Sequence, residues 1–265
     1  MPENNARPLV ELTHIKKIFN SGSVNEALLF EDFNFSVEKG QFISIVGSNG
    51  SGKTTLLNLI CGSLMPEHGT ILLDGLDITK MPEYKRSAYI GRVFQDPSMG
   101  ACAQLTILEN MALADNKGRN YGLTPGVSKK RVEWYKQQLE MLHLGLEDKI
   151  DMPVGNLSGG QRQALALLIA TLTPIRLLIL DEHTAALDPK SSENVMELTD
   201  RFVREKKLTA VMVTHNLRYA VDYGDRLVMM HRGTTVKDVS YHEKDGCSVD
   251  DLLKIFNEIS IECGN

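Results

Sequence analysis

The chain has 265 residues, 42% of them hydrophobic and 24% charged, with a formal net charge of -5, a balance typical of globular proteins. That length suits one large domain with a lobe rather than two independent domains, and no basic excess points to nucleic acid. Apolar runs end far short of the ~20 residues of a membrane helix, the N-terminus lacks a signal-peptide core, and Cys61, Cys102, Cys247 and Cys263 are scattered without C-x-x-C spacing, so a cytoplasmic chain with free thiols is expected.

In chain order, an apolar stretch over residues 9–15 comes first. Residues 30–37 then alternate, with Phe33, Phe35 and Val37 on one side and Asp32, Asn34 and Ser36 on the other, the pattern of a half-buried strand. Residues 42–46 form a short continuous apolar strand that runs into Gly47-Ser48-Asn49-Gly50-Ser51-Gly52-Lys53-Thr54 and then a helical pattern over 54–60. This is G-x-x-x-x-G-K-[ST] in its mechanistic context of strand, loop and helix. Glycines let successive N–H groups turn inward on phosphates, and the helix N-terminus adds partial positive charge. Lys53 is expected on the β and γ phosphates of ATP, with the Thr54 hydroxyl on Mg²⁺; a glycine-rich turn with an incidental lysine is the alternative.

A hairpin over 70–78, turning at Asp74-Gly75, joins the first two strands in an expected antiparallel β layer. Strand signals vanish between about Asp96 and Asn156, where helical patterns such as 132–144 suggest an inserted helical lobe. Continuous apolar strands return at 177–180 and 210–213, and the helix between them carries Val195, Leu198, Phe202 and Val203 on one face, which implies a parallel sheet. The first of these strands ends in Asp181-Glu182. Unpaired buried carboxylates are costly, so two at a strand end indicate solvent, a cation or chemistry: Asp181 as a Mg²⁺ ligand and Glu182 orienting the attacking water, against a capping or solvated pair. After Met230 a short β stretch and a helix over 249–259 are expected, the latter with Leu252, Leu253, Phe256 and Ile259 as its buried stripe.

Leu157-Ser158-Gly159-Gly160-Gln161, with the phosphate loop upstream and the acidic strand downstream, resembles the signature of ABC-type ATPases over essentially the whole chain. The resemblance implies an α/β fold of the P-loop NTPase kind: a mixed or parallel sheet core with an N-terminal antiparallel β layer and a helical lobe. It places residues 1–95 and 157–235 in the catalytic core, 96–156 in the helical subdomain and 236–265 in a short C-terminal extension.

The same resemblance implies that Phe19 stacks on adenine, although a core phenylalanine would read alike. It also implies that Gly47 to Thr54 and Thr55 cradle the phosphates, and that Gln95 touches Mg²⁺ and the attacking water. His215 would contact the γ-phosphate. Asp188 belongs to a dimer-contacting loop, though capping the next helix would also suit it. Ser158, Gly159, Gly160 and Gln161 of one subunit would close over ATP held by another, in a head-to-tail homodimer that drives integral membrane permease subunits and, indirectly, an extracellular binding protein. Such a chain would sit at the cytoplasmic face of the membrane through those permeases.

Many members of that family carry Asp-Glu-Pro-Thr-Ser, whereas this chain has His183 in the proline position, which reads as a tolerated loop substitution. The stretches 84–97 and 181–190 are similar to a bacterial subgroup of importer ATPases that accompany permeases for tryptophan, tyrosine or similar small solutes. An exporter ATPase and a soluble iron–sulfur assembly component stay open as alternatives.

Overall fold

The computed structural model describes residues 7–118, 125–240 and 248–262. Its strands and helices, in chain order, are β1 (Val10–Phe19), β2 (Ala27–Val37), β3 (Phe42–Gly47), α1 (Lys53–Cys61), β4 (His68–Leu73), β5 (Leu76–Asp77), α2 (Glu83–Arg86), β6 (Ile90–Val93), α3 (Ile107–Asp115), α4 (Val132–Glu140), α5 (Gly159–Ala170), β7 (Leu177–Asp181), α6 (Pro189–Glu205), β8 (Thr209–Val213), α7 (Leu217–Asp222), β9 (Arg226–His231), β10 (Thr234–Val239) and α8 (Val249–Glu262). They divide between two compact units, Met1–Ser87 with Lys207–Asn265, and Ala88–Lys206.

In the first unit β2, β1, β4 and β5 form an antiparallel sheet in that order. Val10 pairs with Val37 and Leu12 with Phe35, so the alternation read over 30–37 becomes one buried and one exposed face. The hairpin turns at Asp74 and Gly75, both left-handed with φ of 52° and 77°. In a second layer β3 pairs in parallel with both β8 and β9, and β10 adds antiparallel to β9. All six residues of β3 and all five of β8 are buried, which is why they read as unbroken apolar runs. Leu56, Leu57, Leu59 and Ile60 of α1 are fully buried. The C-terminal carbonyls of α1 accept from the buried Arg86, whose Nη1 donates to Leu59 at 2.6 Å and Ile60 at 3.0 Å. That cation offsets the negative end of the helix.

The second unit holds β6 and β7 as a parallel pair, Ile90 opposite Leu177 and Val93 opposite Leu180, together with α3 to α6. Between residues 94 and 176 its described residues contain no strand beyond the isolated bridge Thr106–Pro153. A reciprocal capping box between Thr106 and Glu109 starts α3, and the Tyr135 hydroxyl donates to Asp115 at 2.9 Å to tie α4 to it.

Three expectations need correction or completion. The helix expected over 132–144 ends at Glu140; His143 takes a left-handed φ of 54°, and Leu142 and Leu146 reach the core from a turn, continuing the apolar spacing without the helix. In α8 Leu252 is fully buried but Leu253 is 44% exposed, and Ile255 completes the packed face. Positions 252 and 255 lie one turn apart whereas 253 is rotated by about 100°; Phe256 and Ile259 have side chains outside the described residues. Strands β6 and β9 add to the elements expected from sequence. Cys61 and Cys102 are free thiols, Cys247 and Cys263 lie outside the described residues, and among those residues no helix is long and apolar enough to cross a membrane.

Candidate functional site

The first unit carries Phe19, the glycine loop and His215. The loop leaves the C-terminal end of β3 and opens α1, and its backbone explains its composition. Gly50 and Gly52 have φ of 75° and 106°, a region L side chains avoid. A Cβ on Gly52 would also stand 2.9 Å from the Phe30 ring. Gly52 is the N-cap of α1 and offers no side chain to it. First-turn amides have no partner within a helix, so this end suits an anion. Ser48, Asn49, Gly50 and Thr54 are exposed, Thr55 is half-buried, and Gly47, Ser51 and Lys53 are buried. The Lys53 ammonium folds back over the loop, donating to the carbonyls of Gly47 at 2.7 Å and Ser48 at 3.0 Å.

Support for the loop comes from the β9–β10 turn, which the sequence did not announce. The Gly233 amide donates to the Ser51 carbonyl at 2.9 Å, and His231 Nδ1 lies 3.4 Å from Ser48 Oγ. His215 is exposed just past β8. The preceding Thr214 amide donates to the Ile45 carbonyl at 3.1 Å, which fixes His215 at the same strand ends as the loop. Phe19 ends β1 half-buried, with Lys17 Nζ 5.5 Å from its ring centroid.

The second unit carries Gln95, the Ser158 to Gln161 segment, Asp181, Glu182 and Asp188. Ser158 is the N-cap of α5: its hydroxyl accepts from the Gln161 amide at 3.2 Å, and Gln161 Oε1 accepts from the Ser158 amide at 3.1 Å. A hydroxyl that accepts in a cap keeps its own proton to donate. A Cβ on Gly160 would stand 3.3 Å from the Ser191 side chain, so α5 packs closely on the start of α6, and Gly159 lies similarly close to Leu187. Asp188 caps α6, accepting from the Ser191 amide at 3.0 Å; hydrogen bonds from Ser191 hold its carboxyl below the usual carboxylate range. The capping alternative for Asp188 is therefore realised, and it fixes the loop in which the residue stands.

Gln95 is exposed after β6. Its segment is pinned by the fully buried Gln163, whose Nε2 donates to the Phe94 carbonyl at 2.9 Å. Asp181 ends β7 half-buried, and Glu182 follows with a left-handed φ of 48°, backbone strain of a kind concentrated at functional sites. Arg92 was missed from sequence: its Nη2 lies 2.7 Å from Asp181 Oδ2, with both side chains about one-seventh exposed, at 13% and 14%. Asp181 Oδ1 has no hydrogen-bond partner among the described residues, so the carboxylate retains a free donor atom of the hard-oxygen type that Mg²⁺ takes. The exposed Thr54 hydroxyl is another. Each group, taken by itself, offers one oxygen of the kind that suits Mg²⁺.

The family model described as ABC transporter matches residues 30–185. The tyrosine transport ATP-binding protein of Clostridioides difficile is 45% identical over 248 residues, covering 94% of this chain and 98% of that protein. The spermidine/putrescine import ATP-binding protein of Haemophilus influenzae is 35% identical over 245 residues, 91% of this chain, which spans 60% of that longer relative. Among solved structures, an ATP-binding cassette captured as a post-hydrolysis dimer with ADP and Pi superposes with a TM-score of 0.73 at 28% identity, covering 88% of this chain and 98% of that one.

Proposed function

Because the chain belongs to the ABC transporter family, as an ATP-binding subunit with ATPase activity, we propose that it energises a bacterial importer of a small solute such as an amino acid through a nucleotide-sandwich homodimer. The observation that carries the reading is the glycine loop, which joins a fully buried strand to an uncapped helix N-terminus. Similarity over 98% of a tyrosine transport ATP-binding protein supports the solute class, and the dimeric cassette bound to ADP and Pi supports the pairing.

In this reading Phe19 stacks on adenine, and the amides from Gly47 to Thr55 cradle the phosphates. Lys53 leaves the loop carbonyls for the β and γ phosphates, where a charged donor is worth more than a neutral one. Mg²⁺, when bound, neutralises phosphate charge and orients the oxygens for displacement. Thr54 and Asp181 would hold it, and Gln95 would contact it. Glu182 orients the attacking water, and His215 donates to the γ-phosphate. Ser158 and Gly160 of the sister copy close the site, the Ser158 proton donating to phosphate while its oxygen still caps α5. Asp188 lies in the contact between copies.

A groove of about 820 Å³ in the second unit, lined in part by Phe94, Met99, Gly100 and Leu113, supports docking of a permease segment beside Gln95. Met99 and Leu113 are 66% and 53% exposed, apolar surface of the kind a partner covers. The chain would thus be peripheral, held at the cytoplasmic face by permease subunits that meet an extracellular binding protein.

Glu182→Gln tests the reading. ATP should still bind and should trap a dimer, visible as a doubled mass in size-exclusion chromatography, while turnover falls by about a hundredfold or more. Undiminished turnover would remove Glu182 from the role. Co-purification from membranes checks the partners: permease subunits support a role in transport, whereas iron–sulfur assembly proteins would replace it.

A further inference from the structure

Arg92 has no part in the reading above, yet among the described residues it makes the one ion pair of Asp181. The parallel register sets Arg92 opposite Ile179, two residues before Asp181, and the side chain spans that distance to reach Oδ2 at 2.7 Å. Phe94 holds the guanidinium from another side, with its ring centroid 4.7 Å away. Arg92 Nε is buried and has no hydrogen-bond partner among the described residues, so the guanidinium sits here at the expense of one of its own donors. A mostly buried pair at this distance is weakly screened by solvent and salt.

We propose that Arg92 is a built-in counter-cation of Asp181 that sets the Mg²⁺ concentration the ATP site needs. The inference rests on Asp181 being a Mg²⁺ ligand. Arg92 keeps the carboxylate aimed without metal, but it also occupies one oxygen and places a fixed positive charge beside the other. A divalent cation arriving at Oδ1 meets that charge, and its affinity falls. Arg92 is thereby a positioning residue with a measurable signature, since a purely structural pair would change folding stability and leave the metal requirement alone.

The test titrates Mg²⁺ against binding of a fluorescent ATP analogue to the full chain, with thermal midpoints recorded for each variant. Arg92→Met should lower the half-saturating Mg²⁺ by about three- to tenfold, while Arg92→Lys, which keeps the charge, should stay within about twofold of the parent. If Arg92→Met does not fold, Arg92→Gln is read the same way. Unchanged or higher Mg²⁺ requirement in a folded neutral variant overturns the proposal. Asp181→Asn separates the two levels: loss of the Mg²⁺ response there, with Arg92 variants unaltered, sinks only the role of Arg92. A preserved Mg²⁺ response in Asp181→Asn removes Asp181 as ligand and this inference with it.

Discussion

His183 stands between the strand-end acids and the Asp188 loop, 2% exposed, with Nε2 3.1 Å from Thr199 Oγ1. Thr199 spends its only proton on the Val195 carbonyl at 2.7 Å, so His183 must donate and carries its proton on Nε2. A proline could not make this bond; histidine ties the loop to α6 through a hydrogen bond instead of a fixed φ. Burial pushes the imidazole pKa down from 6.5 to about 4. With the folded value depressed, the unfolded chain binds more protons between those two values, so stability is full above about pH 6.5 and declines as pH falls toward 4. Wild type should lose about 2 kcal/mol at pH 5 relative to pH 8 from this group alone. His183→Gln should show a correspondingly shallower fall of stability with pH, each point read by urea denaturation; parallel pH dependences would refute the assignment. The identity of His183 was plain in the sequence, but its partner is 16 residues away on another element and had no local signal. Arg92 was hidden for the same reason, since only the pairing of β6 with β7 brings it to Asp181.

At the scale of elements, legibility followed burial pattern. β3 and β8 are covered on both faces and announced themselves as apolar runs. β6 is four residues long and includes Gly91 and Arg92, too short and too mixed to stand out from a turn. β9 is apolar but rich in methionine, between Arg226 and His231, and methionine carries little strand preference. Helix α8 shows the limit of a stripe read from sequence. Leu252 packs with Val46, Leu227 and Met229 in the first unit, while its neighbour Leu253 faces out. Leu252→Ala should therefore destabilise the protein by about 2–4 kcal/mol, and Leu253→Ser by less than about 0.5 kcal/mol, in chemical denaturation. Equal losses would show that the helix face is misassigned.

At the scale of the whole molecule the question is whether one chain suffices. Each copy has its own phosphate loop and its own Ser158 segment, and the proposed sandwich joins the loop of one to the segment of another. A Lys53→Ala chain should bind ATP at least about tenfold more weakly, and a Ser158→Arg chain should be inactive through its partner's site. Mixed, the two should recover part of the parent ATPase rate, because one pairing of the four half-sites is intact; a mixture no better than either variant alone would exclude sharing. By itself the sequence determined the family, the glycine loop and the acids, because these depend on contiguous residues whose spacing is their chemistry. The tertiary structure alone decided what holds them: Arg92 on Asp181, Gln163 on the carbonyl before Gln95, Gly233 behind the loop, and Arg86 at the end of α1. Each of these contacts joins residues far apart in the chain, and only strand pairing and close packing bring such groups within hydrogen-bond reach.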